Sequence, residues 1–446
     1  MKPGILLQPD HFDAFHCIGS DCEDTCCVGW IVHVDKPTYD KYQNCADPEI
    51  GPRLHSLIKI REQGHVGNDD AYAQIAMDRG VCPFLSSGLC SVQERLGEEF
   101  LSKRCATYPR VINSVGEVLQ RSLDLSCPEA ARVVLLNPSR IGFDEKSYTD
   151  GAVGSIRRGV PALDTSGVGE CRGFLGVVQG LVISLLQNRS YPIWKRLAMV
   201  GSLCDNMDEV GVQDSDRNSV NGIQKYADRL SIQRYADRLG IQKYANRLNG
   251  GLLDDVLDKS AADPTAQLEG VLDLIAAGIS PDFNPRRFLE CYGEFINGIQ
   301  WTAQSTIEEI GSRFAEAHAQ YYVGFMKRHE HILEHYLVNY AYKTLFPFGL
   351  PESNRRLRNA RVPSPVVPQY AAQYMMMVVH YAITRAVLIG MAGFHKSNFG
   401  VDHVIKAIQS CTKTFEHSVT YSGLAMEILT NKMMTTPASL CVLVHD

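Results

Sequence analysis

Apolar residues return every three or four positions through most of the second half of the chain. "CRGFLGVVQGLVISLLQ" from Cys171 and "YPIWKRLAMVGSLCDNM" from Tyr191 carry that spacing. So do "RFLECYGEFINGIQ", "HILEHYLVNYAYKTLF", the segment from Tyr370 to Gly390, and "VDHVIKAIQSCTKTFEHS" from Val401. Each predicts a helix that buries one stripe. Strand-type alternation is not sustained anywhere beyond residue 170, so the pattern reads as a helical array. A Pro-rich connection, "FPFGLPESNRRLRNARVPSPVVPQ", interrupts it. Two runs are more apolar than a surface helix needs. "LGVVQGLVISLL" is too short to cross a bilayer, and "YMMMVVHYAITRAVLIGMAGF" is broken by His380 and Arg385, so both are expected as buried core helices and not as transmembrane segments.

Three nonapeptides, "IQKYADRLS", "IQRYADRLG" and "IQKYANRLN", run from Ile223 to Asn249. Ile, Tyr, Ala and Leu fall at i, i+3, i+4 and i+7 within each copy, one helical stripe. Nine residues make two and a half turns, so an unbroken helix would swing that stripe to opposite faces in successive copies. Either Ser231 and Gly240 break the helix, or part of the stripe stays exposed. The period is shorter than that of solenoid repeats, and the segment reads as a tandem expansion of one helix.

The N-terminal part looks different. Nine of the fourteen cysteines lie at or before Cys127, while Cys171, Cys204, Cys291, Cys411 and Cys441 are scattered singly in apolar surroundings and read as small core residues. The expected organisation is mainly α: a cysteine-rich N-terminal metal-binding domain at 1–137, a Gly/Ser-rich linker at 138–170, and a helical domain at 171–446 holding the expansion at 223–249.

Composition narrows the function classes. The 45% hydrophobic and 21% charged fractions suit a soluble globular protein. A net charge of -6 argues against a nucleic-acid binder. The one local basic run, Arg355 to Arg361, reads as a solvated face. The N-terminus lacks the apolar run of a signal peptide, which predicts a cytoplasmic protein whose thiols are kept reduced. Clustered cysteines then read first as metal ligands or catalytic groups.

"FHCIGSDCEDTCCVGW" places Cys17, Cys22, Cys26 and Cys27 within eleven positions. Were the stretch helical, Cys22 and Cys26 would share a face and Cys27 would point about 100° away from Cys26. The adjacent pair need not serve one site, so partners from Cys82, Cys90, Cys105 and Cys127 are expected to close it. Cys45 reads as a bystander. Pro follows both Cys82 and Cys127, an echo of the Cys-Pro ending of some cluster-binding runs, although Pro128 equally suits the first turn of a helix. Four thiolates suit either structural zinc or a 4Fe-4S cluster, and this spacing does not choose between them. Neither paired C-x2-C spacing nor a C-x3-C-x2-C triplet is present.

"FHCIGSDCEDTCCVGWIVHVDKPTYDKY", "CPFLSSGLCSVQERLGEEFLSKRCATYPR" and "SLDLSCPEAARVVLL" resemble the flagellin lysine-N-methylase family. "YLVNYAYKTLFPFG" and "VIKAIQSCTKTFEH" are similar to its C-terminal half. The resemblance covers most of the chain except the nonapeptide expansion and the Gly-rich linker. It implies methyl transfer from S-adenosylmethionine to lysine ε-amines of flagellin in the cytoplasm before export. It also implies a 4Fe-4S cluster, with zinc the alternative, drawing on Cys17, Cys22, Cys26, Cys27, Cys82, Cys90, Cys105 and Cys127. Homo-oligomerisation or peripheral membrane association stays open.

No dinucleotide-type fingerprint accompanies these motifs, and "SGVGECRG" around Gly167 follows no convincing strand. A lysine amine, with a reference pKa of about 10.4, must lose a proton before it can attack a sulfonium methyl. Glu23, Asp24 and Tyr108 stand beside the cysteines as candidate bases. Each has a plainer explanation: Asp21, Glu23 and Asp24 as solvated or amide-bonded carboxylates, Tyr108 as a buried hydroxyl, Arg110 as an ion-pair partner. The competing expectation is a non-enzymatic zinc- or iron-binding interaction protein, and an iron-sulfur electron carrier is a third.

Overall fold

The computed structural model describes residues 4–61, 71–115, 118–148, 158–159, 168–213, 241–259, 261–279, 286–349 and 369–446. The protein is mainly helical, with its described strands confined to the N-terminal part. Those strands are β1 (Gly4–Pro9), β2 (His33–Val34), β3 (Ile58–Ile60), β4 (Ala73–Ile75), β5 (Leu85–Ser86) and β6 (Leu89–Cys90). They continue with β7 (Arg110–Val115), β8 (Val118–Leu123), β9 (Phe143–Tyr148) and β10 (Arg158–Gly159). A five-stranded sheet has the order β10-β7-β8-β1-β9, a three-stranded sheet the order β2-β4-β3, and β5 pairs with β6.

Strand β8 lies between β7, which it meets antiparallel, and β1, which it meets parallel. Nearly all of β8 is buried, including Gln120 and Ser122. A strand covered on both faces can satisfy its polar side chains only internally, and among the described residues Ser122 Oγ is left without a partner. Gln120 donates to Gln179 Oε1 at 3.0 Å, on helix Val168–Leu186. Helix Glu330–Lys343 packs beside β8, where Asn339 donates to the Leu123 carbonyl at 3.1 Å. Helix Pro128–Leu135 starts with proline in its first turn directly after Cys127, so helix initiation accounts for that Cys-Pro pair.

The helical part is organised around Gln369–His395, whose central residues are buried on every side. By length and composition, Tyr370–Asn398 could cross a membrane; all of its most apolar window is buried inside the protein. Its two polar interruptions have different fates. Arg385 donates to Asp446 Oδ1 at 2.6 Å and to the His445 carbonyl at 3.3 Å. Among the described residues neither ring nitrogen of His380 has a hydrogen-bond partner. Helices Arg286–Gly298, Ile193–Gln213, Val401–Cys411 and Pro264–Gly278 surround this central helix.

One core joins the two parts of the chain. Phe12, Phe15, Leu123, Leu125, Cys127 and Val134 belong to the same buried cluster as the helices, so packing is continuous across residue 137. A second, smaller core of Val32, Val34, Tyr42, Leu54, Ile75 and Phe84 sits under the three-stranded sheet. The stretch 138–170, expected as linker, contains β9 paired antiparallel with β1 and β10 paired with β7. Its Gly/Ser content masked strands because the residues of β9, "FDEKSY", lie at an exposed sheet edge and carry little apolar signal.

Of the nonapeptides, the third is helix Ile241–Asn249, with Ala245 and Leu248 buried and Tyr244 packed on the main core. The first two copies, the run Arg355 to Arg361, and Gly167 lie outside the described residues. Cys204, Cys291 and Cys411 are buried and Cys441 half-buried, as expected of core residues.

The central helix approaches Arg286–Gly298 at glycines. A Cβ on Gly298 would collide with the Gly390 carbonyl, and one on Gly390 would fall 2.8 Å from Phe295 Cα. Backbone atoms on both sides leave nothing flexible to move. Gly390→Ala is therefore expected to destabilise the helical core by about 1–3 kcal/mol. Denaturant unfolding should show an earlier transition, and an unchanged midpoint would contradict this close crossing.

Candidate functional site

The segment Phe15–Trp30 is not helical. It holds one short 3-10 turn, Gly19–Asp21, and otherwise runs as loop. Two glycines in positive-φ conformations, Gly19 at 57° and Gly29 at 95°, let it fold back tightly. Cys22 and Cys26 are thus no helical pair, which corrects the conditional reading of their spacing. Nor do Cys26 and Cys27 diverge as helical geometry would require: they lie in a turn, and their thiols hydrogen-bond to each other.

The cysteines fall into two neighbourhoods. The Cys82 amide donates to the Cys27 carbonyl at 2.8 Å, and the two thiols interact by hydrogen bonding. Cys27, Cys82 and Cys90 pack on the smaller core, and Cys105 and Cys90 both act electrostatically on Cys82. Cys17 and Cys22 instead neighbour Cys127, whose thiol burial pushes up to about 12. Cys26 stands between them, hydrogen-bonded to Cys27 and raised by that bond and by burial. Cys45 packs against the smaller core as a bystander would.

Eight thiols are a donor set of the soft kind that zinc and iron-sulfur clusters take. Among the described residues, however, no group of three or more His, Cys, Asp or Glu side chains comes close enough to hold a metal ion. The arrangement defines a pool of donors and not a coordination geometry.

The acidic residues beside the thiols bind this loop to the helices. Asp24 accepts from Lys413 Nζ at 2.8 Å and from Gln409 Nε2 at 2.7 Å, both far away in sequence. Glu23 pairs with Arg132 and accepts from Arg287 at 3.4 Å. Tyr108 lies within 3.1 Å of Ser126 Oγ, and burial raises its hydroxyl well above the ordinary range. Among the described residues Arg110 forms no ion pair; it lies over the Phe15 ring at 4.9 Å. All three candidate bases are thus occupied in holding structure.

A different constellation lies immediately beneath them. Helix Val401–Cys411 runs into a π-helical turn, Thr412–Glu416, of the kind often found at functional sites. The turn delivers Glu416 and His417 to the end of β8 and its following residue, Asp124. Lys343 donates to Glu416 Oε2 at 2.7 Å and lies 3.7 Å from Asp124 Oδ1. Tyr336 donates to Glu416 Oε1 at 3.0 Å. His417 Nε2 lies 3.2 Å from Asp124 Oδ1, which also accepts from Ser126 Oγ at 2.7 Å and Ser126 N at 3.1 Å.

Burial would raise the Asp124 carboxyl, but the charges of His417 and Lys343, with hydrogen bonds from His417 and Ser126, hold it well below the usual range. Glu416 is likewise raised by burial and lowered overall, chiefly by Lys343. His380 next to them is driven down to about 4 by burial, so its imidazole is neutral at neutral pH. His417 is a quarter exposed, and its ring meets Trp30 edge-on at 5.5 Å; Trp30 in turn meets Tyr108 at 5.1 Å.

The family model for the FliB lysine N-methylase C-terminal domain matches residues 179–443, more than half of the chain. The chain belongs to that family. A lysine-N-methylase of Salmonella typhimurium is 32% identical over 150 residues, 33% of this chain and 36% of the relative. A second, from Salmonella choleraesuis, matches with the same identity and coverage. A flagellar biosynthetic protein FliU of Salmonella muenchen is 32% identical over 149 residues, 33% of this chain and 86% of the relative. The chain thus matches about a third of the length of the two lysine-N-methylases. No solved structure matches.

The matched region contains Lys343, His380, Glu416 and His417, whereas Asp124, Trp30 and Tyr108 come from outside it. Sequence spacing gave no hint of the constellation, since its members are brought together only by the packing of β8 against helix Glu330–Lys343 and the π-turn. One faint signal existed: Lys343, Lys413 and Glu416 stand on otherwise apolar helical segments.

One ammonium serving two buried carboxylates gives a test. Lys343→Met should cost about 3–5 kcal/mol of stability at pH 7, because two buried charges lose their partner. In the intact protein both carboxyls titrate below their unfolded values of 3.8 and 4.5, so their contribution is complete above about pH 4.5 and is lost as pH falls through the lower folded values. In Lys343→Met burial dominates and the carboxyls titrate higher. The deficit should therefore narrow between pH 7 and about 4. A deficit independent of pH over that range, measured by denaturant unfolding, would contradict the buried-charge account.

Proposed function

We propose that the protein is a methyltransferase that moves a methyl group from S-adenosylmethionine to lysine ε-amines of flagellin, in the cytoplasm before export. The match of residues 179–443 to the lysine N-methylase family carries this reading. The names of the relatives, two lysine-N-methylases and a flagellar biosynthetic protein, support the acceptor and the chemistry.

Such an enzyme has three tasks. It must take a proton from an ammonium that is stable in water at neutral pH. It must hold the free amine in line with the methyl carbon at near-contact distance. It must also keep the departing thioether and the new methylammonium from competing water. A partly exposed histidine backed by a buried carboxylate and flanked by Trp30 suits the first task.

The proposed cofactor is a 4Fe-4S cluster, with zinc the alternative, drawn from Cys17, Cys22, Cys26, Cys27, Cys82, Cys90, Cys105 and Cys127. Bound there, it would supply a cross-link between the cysteine loop and the elements carrying Cys82 to Cys127, or a one-electron centre. Lysine methylation by polar transfer needs no electron from it.

Two measurements test this reading. Protein purified without oxygen and incubated with methyl-labelled S-adenosylmethionine and unmodified flagellin should place label on lysines, located by peptide mass spectrometry. No transfer by protein shown to be folded and metal-loaded would contradict the activity. Elemental and acid-labile sulfide analysis of the same protein should find about four irons and four sulfides per chain. Zinc without sulfide would overturn the cluster while leaving the methylase reading to the first assay.

A further inference from the structure

Two buried carboxylates lie beneath Trp30. Asp124 is 3% and Glu416 side chain 6% exposed, and among the described residues the ammonium between them is that of Lys343. Nearby Lys413 is already paired with Asp24 and gives a further hydrogen bond to the Thr25 carbonyl at 2.9 Å. Two buried carboxylates thus share one buried ammonium, and His417, a quarter exposed, lies against Asp124. Buried carboxylates in that arrangement favour the arrival of a further cation.

Polar groups near these carboxylates are also incomplete. His380 is 6% exposed, and both its nitrogens are buried without a partner; the charges nearest it are Glu416, Lys343 and His417. Thr414 Oγ1 on the π-turn and Tyr421 Oη, whose ring faces that of His380 at 6.3 Å, are orphaned as well. Buried groups of this kind normally have a partner, and these three, from the π-turn and the two helices beside it, point to a polar guest.

Trp30 has the kind of surface a cation uses. Trp30 already holds one ammonium over its ring, with Lys413 Nζ 5.2 Å from the centroid, and Tyr108 and His417 stand against the same ring. Aromatic faces attract ammonium groups, and methylated ammonium groups in particular. Because a carboxylate can only accept, Nε2 of His417 carries the proton toward Asp124 and Nδ1 is left as the basic nitrogen.

We propose that the seam between Trp30, Tyr108 and His417 receives the acceptor lysine, with His417 as the base for its ammonium and Asp124 as the residue that positions that base. This assignment rests on the methylase reading and deepens it. Nδ1 takes one proton from the ammonium, and the freed amine lone pair forms the nitrogen–carbon bond. The carbon–sulfur bond of the sulfonium donor breaks at the same time, and its electron pair stays on sulfur as a neutral thioether. The positive charge passes to the methylated nitrogen, whose ammonium then faces Trp30.

The test uses full-length protein in the labelled methyl-transfer assay with unmodified flagellin. His417→Gln is expected to lower kcat by about 100-fold or more while the KM for flagellin moves less than about threefold. Added imidazole should restore part of the rate of His417→Ala, which a purely structural role would not allow. Asp124→Asn should lower kcat with folding retained by circular dichroism. A His417→Gln protein within about threefold of the wild-type rate, or an inactive one that has also lost flagellin binding, overturns the assignment. A wild-type chain that transfers no methyl group overturns the methylase reading beneath it, so the two failures are distinguishable.

Discussion

Lys343 is shared by two buried carboxylates, and much of the molecule is arranged around that sharing. An unpaired carboxylate in such a place would cost several kcal/mol, so Asp124 and Glu416 are tolerable only while one ammonium lies between them. Asp124 directly follows a central strand, Glu416 ends a π-turn and Lys343 ends a helix. Satisfying the three charges therefore fixes how the sheet, the helix and the turn meet. The same meeting places His417 at the boundary with solvent.

The cysteine loop depends on the same seam from the other side. Phe15–Trp30 has almost no regular structure, so it keeps its path through tethers: Asp24 to Lys413 and Gln409, Glu23 to Arg132 and Arg287, and the Trp30 indole donating to the Cys26 carbonyl at 3.0 Å. The tethers of Asp24 link residues nearly 390 positions apart. The thiols and the buried charges are consequently two faces of one junction. A metal that drew the thiols together would act on the position of Trp30, and through it on the wall beside His417.

How much was legible in the sequence follows from the range of each interaction. Helices such as Val401–Cys411 and Gln369–His395 announce themselves through local periodicity, and Arg385 within the latter is explained by a partner at the end of the chain. Strand β9 did not announce itself, because an exposed edge strand of mostly polar residues has no apolar alternation to read. Spacing argued that Cys26 and Cys27 diverge, yet a turn in place of a helix brings the two thiols into a hydrogen bond. The eight thiols stood out because four of them crowd into one short stretch. Asp124, Lys343, Glu416 and His417 did not stand out, since each is an ordinary residue until folding over 200 to 300 positions joins them.

The central claim is that this junction, and not the remote faces of the helical array, is where the protein meets its substrate. Hydrogen–deuterium exchange of the full chain with and without unmodified flagellin tests it most directly. Protection concentrated in the peptides spanning Cys26–Trp30, Tyr108–Arg110 and Thr412–Ser418 is the result the account predicts. Protection confined to other parts of the helical array, with these three segments unchanged, would contradict it.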